Sequence, residues 1–217
     1  MEEKIQQFLE ENSNKNLIEF HKKLVTTSHK IYGIETPKLR KFAKTLAKEN
    51  FPLNKFGSSH EEILLRGLCL ANMKLSDEET IKEFEKFSSE IDNWATCDMI
   101  VSSLKNLKTE NGYKYFVNKL KSPDSFQKRI GIIGLMDYFI DRDNTSLLTK
   151  IKDENYYVKM ALAWYLCTLI CKDFERGVSF LMQFIDKFTR NKAISKCHDS
   201  FRLNKDQKEF LKTLKIK

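Results

Sequence analysis

Proline and glycine are scarce in this chain, with three prolines and seven glycines in 217 residues. So few breakers leave little room for the turn-rich connections of an all-β fold, and strand-like alternation is nearly absent. The five cysteines, at 69, 97, 167, 171 and 197, include no Cys-x-x-Cys pair and leave an odd one over. Four of them fall inside apolar helical patterns, where a free thiol behaves as a small hydrophobe, so they read as core filler rather than a disulfide framework. The four histidines, His21, His29, His60 and His198, are scattered without metal-ligand spacing and read as surface residues, leaving zinc chemistry without support. No segment approaches the uninterrupted apolar length of a membrane span. The start, "MEEKIQQFLEENSNK", lacks a basic segment followed by an apolar run, so it does not read as a secretory signal. A soluble, cytoplasmic protein is expected.

What the chain does have is helix. Ser-x-x-Glu capping boxes stand at Ser59 to Glu62 and Ser76 to Glu79, and Asn204 to Gln207 is a weaker form of the same device. Pro37 after Thr36 and Pro123 after Ser122 fit the first helical position behind a capping residue. About a dozen helices of roughly 10 to 16 residues are predicted, and the fold class is all-α. Four stretches, 64–74, 127–139, 158–170 and 191–203, share a basic or polar start, a small-residue middle and an apolar end. The last three begin at 127, 158 and 191, a spacing of 31 and then 33 residues. Small residues inside helices cost helix propensity but let neighbouring helices approach closely, as stacked helix pairs require. The expected architecture is a single domain over 1–217, built of HEAT-like helical repeats stacked into a curved solenoid with a basic concave face.

Charge points to a partner. Lys plus Arg number 38 against 30 for Asp plus Glu, a formal net charge of +8, which favours a polyanion. One acid then stands out. In "IDNWATCDMIVSSL" (91–104), Asp98 sits among Cys97, Met99, Ile100 and Val101, one helical turn after Trp94. Aspartate is a poor helix-interior residue and a costly one to bury, so its position needs a reason. Trp94 and Asp98, four apart, share a helix face, as do Tyr157 and Trp164, seven apart on a later helix. Arg129 opens the apolar run between them. Taken singly, the tryptophans read as core anchors, Tyr156 and Tyr157 as half-buried packing, and Asp98 with Arg129 as a structural ion pair. Taken together on successive repeats of a basic solenoid, they read as a groove for a negatively charged, stackable polymer.

These segments carry a resemblance. "YGIETPKLRKFAK" (32–44), "WATCD" (94–98), "QKRIGIIGL" (127–135) and "YYVKMALAWYL" (156–166) resemble the successive signature segments of the AlkD-like DNA alkylation repair enzymes, HEAT-like-repeat DNA glycosylases. The leading region looks like that of a shorter branch with a reduced N-terminal lesion-side helix. The resemblance implies that Asp98 is the catalytic acid, that Trp94 and Trp164 face the sugar, and that Arg129 binds the DNA backbone beside the paired aromatics Tyr156 and Tyr157. Lys128, Lys159 and Arg40 are expected as further DNA contacts. The implied partner is double-stranded DNA carrying a cationic alkylpurine such as 3-methyladenine or 7-methylguanine, acted on by a monomer. No metal and no organic cofactor are implied. Glu35 departs from the pattern, standing where well-known members carry glutamine, and an acid near phosphates should weaken binding. Two other readings stand beside excision: a non-catalytic HEAT-like protein recognising damaged, bent or branched DNA, and a protein-binding solenoid.

Overall fold

In the computed structural model, residues 2–184 and 186–217 are described. Among them the chain is helical, with no strand, and it divides into two compact units, 1–115 and 116–217. The first unit holds α1 (Glu2–Asn12), α2 (Lys15–Leu24), α3 (Thr36–Lys48), α4 (His60–Leu70), α5 (Asp77–Glu85) and α6 (Trp94–Val101). Helix α7 (Glu110–Lys119) runs across the division. The second unit continues with α8 (Ser125–Phe139), α9 (Thr145–Leu148), α10 (Tyr156–Lys172), α11 (Phe174–Gln183), α12 (Lys187–Asp199) and α13 (Lys205–Thr213).

Each unit is organised around one helix buried on most of its faces. In the first it is α4, against which α3, α5 and α6 pack; every residue from His60 to Leu70 except Arg66 is buried. In the second it is α10, flanked by α8, α11 and α12. Helices so placed have lost the usual polar stripe, because several neighbours each need an apolar surface. Small residues set the spacing. A Cβ on Gly67 of α4 would lie 2.5 Å from the side chain of Ile100 on α6, so only glycine admits α6 at this distance. None of the described helices is long and apolar enough to cross a membrane.

The capping boxes at Ser59, Ser76 and Asn204 form, the last as complete as the other two. The two prolines differ from expectation. Helix α3 takes Glu35 as its N-cap without a side-chain bond, putting Thr36 and Pro37 inside the helix. Helix α8 is capped by Asp124, whose carboxylate accepts from Gln127 N at 2.8 Å, and Pro123 lies one residue before that cap. Ser122 instead accepts from Asp124 N at 3.1 Å, leaving the carboxylate as the group that reaches the helix. Helix α12 stops at Asp199, so the apolar end of the fourth repeated stretch lies in a turn with Phe201 exposed.

His60 corrects the reading of the histidines as surface residues. It is buried at the first position of α4, and His21 and His29 are half-buried. All five cysteines are free; four are buried and Cys171 is half-buried. Gly33 adopts φ +71°, and a Cβ there would meet Ile18 N at 2.5 Å. Its N–H, with that of Tyr32, donates to the buried carboxylate of Glu61, fastening the segment before α3 to the start of α4.

Candidate nucleic-acid interface

Helix α6 carries the pair that the sequence singles out. Asn93 caps it, its Oδ1 accepting from Thr96 N at 3.0 Å. Cys97, Ile100 and Val101 turn into the core, each fully buried. Trp94 and Asp98 lie on another face, one turn apart. Trp94 is half-buried, and its indole Nε1 donates to the carbonyl of Leu24, the last residue of α2, at 3.3 Å. Asp98 is 8% exposed and engaged with neighbouring groups. Arg40, exposed on α3, reaches the other end of α6, where its Nη1 lies 3.4 Å from Ser103 Oγ. Glu35 is exposed and 3.6 Å from Lys38 one turn on, so a lysine partly offsets its charge toward an approaching phosphate.

The remaining candidates lie in the second unit, at the N-terminal ends of α8 and α10. Arg129 is 5% exposed, and its Nη1 donates to the carbonyl of Tyr157 at 2.7 Å, joining the first turns of the two helices. Lys128 is paired with Asp153 at 2.5 Å in a largely enclosed contact. Lys159 is paired with Glu154 at 2.6 Å and with Asp186 at 3.5 Å, and the hydrogen-bonded Glu154 carboxylate holds its ammonium above the usual lysine range. Tyr156 is 54% exposed and meets Tyr157 and Phe188 edge-on, at ring distances of 5.5 and 5.8 Å. Tyr157 leans on Phe126 at 5.3 Å. Trp164, two turns along α10 from Tyr157, is 37% exposed.

Several residues that matter here are inconspicuous in the sequence. Asp92 accepts from the hydroxyl of Thr27 at 2.7 Å and from the backbone N–H of Ser28 at 2.8 Å, clamping the segment after α2 to the start of α6. Burial works against its ionisation. The bonds from Thr27, Ser28 and Asn93 and the nearby His29 outweigh that effect and leave the carboxyl below its usual range. In the second unit, Lys121, Lys150 and Lys152 share with Lys128 a depression of about 400 Å³ whose apolar lining includes Leu120 and Ile151. Beside Lys128, the runs "KLK" at 119–121 and "KIK" at 150–152 are the sequence signals for that basic patch. No group of three or more His, Cys, Asp or Glu among the described residues could hold a metal ion.

A family model described as DNA alkylation repair enzyme matches residues 5–197, nearly the whole chain and both units. The chain belongs to the DNA alkylation repair enzyme family. No curated protein and no solved structure matches it. As a DNA alkylation repair family member, it has a place in DNA repair, with DNA as the molecule on which that work is done. The aromatic and basic groups at the helix starts are of the kind that bind such a polymer.

Proposed function

We propose that this DNA alkylation repair family member binds double-stranded DNA and hydrolyses the N-glycosidic bond of cationic alkylpurines, 3-methyladenine and 7-methylguanine. The observation that carries the reading is Asp98, a buried carboxylate on the same face of α6 as Trp94. In a protein that only bound DNA, an acid at such a place would repel phosphate.

The chemistry needs little else. An N-alkylated purine already bears a positive charge, so when the C1′–N bond breaks, its electron pair neutralises the departing base. No general acid is required. The charge passes to the deoxyribose as an oxocarbenium ion. A carboxylate about 4 Å away at an effective dielectric of about 20 stabilises it by about 4 kcal/mol, roughly a thousandfold in rate. The face of Trp94 beside the sugar adds cation–π attraction and excludes water. The same carboxylate orients the water that attacks C1′ and accepts the proton that water gives up as the C1′–O bond forms.

The second unit supports the duplex in this reading. Arg129, anchored by the Tyr157 carbonyl, offers its guanidinium to the backbone, with Lys128 and Lys159 beside it. Tyr156 and Trp164 are exposed and offer aromatic surface for sugar or base, and Arg40 adds a cation in the first unit.

The deciding experiment incubates the protein with methylated duplex DNA and measures free bases by chromatography. Release of 7-methylguanine and 3-methyladenine is expected, with uracil and 8-oxoguanine untouched, because neutral bases leave only after protonation. Duplex binding without release would point to a non-catalytic binder instead.

A further inference from the structure

The first turn of α6 is held by side chains that this chemistry does not use. Asn93 commits its Oδ1 to capping the helix, at 3.0 Å from Thr96 N. Its Nδ2 is therefore turned toward Asp92 Oδ1, at 3.1 Å, and toward His60 Nδ1, at 3.3 Å. An amide nitrogen only donates, so His60 Nδ1 accepts. Thr96 Oγ1 lies 3.1 Å from the same nitrogen. The imidazole is thus neutral, with its proton on Nε2.

The surroundings maintain that state. His60 is 5% exposed, and burial holds it below the usual imidazole range. The charged and titratable groups facing it are Glu61 on α4, His21 on α2, and Asp92 and His29 in the segments leading to α6 and α3. The two acids favour protonation, but their carboxylates are already occupied, Glu61 by the N–H groups of Tyr32 and Gly33, and Asp92 by Thr27, Ser28 and Asn93. The histidines oppose it; the His21 ring lies 6.0 Å from that of His60.

A proton on Nδ1 would point at the N–H of Asn93. Thr96 Oγ1, 3.1 Å away, can accept that proton, but the Asn93 amide then loses its acceptor and faces an N–H, and turning its oxygen to the ring to relieve that clash would cost α6 its cap. Trp94 is the next residue and Asp98 stands one turn later.

We propose that His60 is a positioning residue for Trp94 and Asp98, its neutral imidazole fixing Asn93 and through it the N-terminal turn of α6. The proposal rests on reading those two residues as the reacting pair, but its first measurement does not use DNA.

The chain has two tryptophans, so Trp164→Phe leaves Trp94 as the sole emitter. Its fluorescence in the free protein, titrated from about pH 8 down to about pH 5 across the imidazole range, should show one transition with a midpoint below 6.5. His60→Asn places an oxygen near the position of Nδ1, able to accept but not to titrate. In that background the transition should vanish while the emission at the alkaline end stays that of the parent. His60→Ala, without an acceptor, should show the acid-form emission throughout, and if it fails to fold, the asparagine variant carries the test. A transition that persists in His60→Asn belongs to another group and overturns the proposal, as does its absence in the parent. Lack of base release from methylated DNA would overturn the excision reading and leave this measurement standing. Where base is released, its rate should rise with pH through the same midpoint in the parent and not in His60→Asn; a rate indifferent to that substitution overturns the link to Asp98.

Discussion

The guanidinium of Arg129 donates to the carbonyl of Tyr157 at 2.7 Å, so the residue proposed to meet a DNA backbone also joins the start of α8 to that of α10. Both functions fail together in Arg129→Ala. Removing a buried charged donor leaves the Tyr157 carbonyl without it and opens space, a loss of about 2–4 kcal/mol by chemical denaturation. The log–log salt slope of duplex binding should also fall by about 0.9, one phosphate's share. A lower stability with an unchanged slope would leave Arg129 a structural residue only.

Asp98→Asn keeps the shape of the side chain and removes its charge. Release of 7-methylguanine should fall by about two to three orders of magnitude, from an electrostatic contribution of about 3–4 kcal/mol. Affinity for duplex DNA should hold or rise, since repulsion of phosphate is relieved. Full activity in the variant would sink the catalytic assignment.

The basic depression of the second unit should bind backbone without reading sequence. Lys150→Ala with Lys152→Ala removes two lysines from its lining, and the salt slope should drop by up to about 1.8. The loss should be uniform across duplex sequences, and melting of the protein should be unaffected, because Lys150 and Lys152 are exposed. Titration of binding against salt at fixed pH settles the point.

Asp92 should make the first unit acid-sensitive. Its folded carboxyl lies below the ordinary 3.8, so the native state takes up its proton less readily than the unfolded chain. The stability it contributes is therefore complete above about pH 3.8 and is lost as pH falls through the lowered folded value. Asp92→Ala should be less stable than the parent at neutral pH and should lose less on acidification. Equal acid dependence in the two proteins would show that the Thr27 and Ser28 clamp contributes nothing.

How far the sequence reaches can be judged residue by residue. The capping boxes at Ser59, Ser76 and Asn204 are local devices, four residues long, and each forms, the one at Asn204 more completely than read. Pro123 misled because the polar residues on either side of it, Ser122 and Asp124, both could have capped α8, and only the backbone geometry chose the carboxylate. His60 misled more seriously. Isolated in the sequence, it has no nearby partner; in the fold it meets Asn93 and Thr96, 33 and 36 residues away.

By itself, then, the sequence determined the helical class, the small residues that let helices approach, and the sharing of one face by Trp94 and Asp98. All of these follow from helix periodicity and side-chain size, which act over a few residues. Tertiary structure alone decided that Arg129 reaches the Tyr157 carbonyl, that Lys128 is held by Asp153 and Lys159 by Glu154 and Asp186, and that a buried neutral histidine secures the cap of α6. Most of those contacts join residues about 25 or more positions apart. Which polar groups meet after such a separation depends on how the intervening helices pack, and no local pattern encodes it.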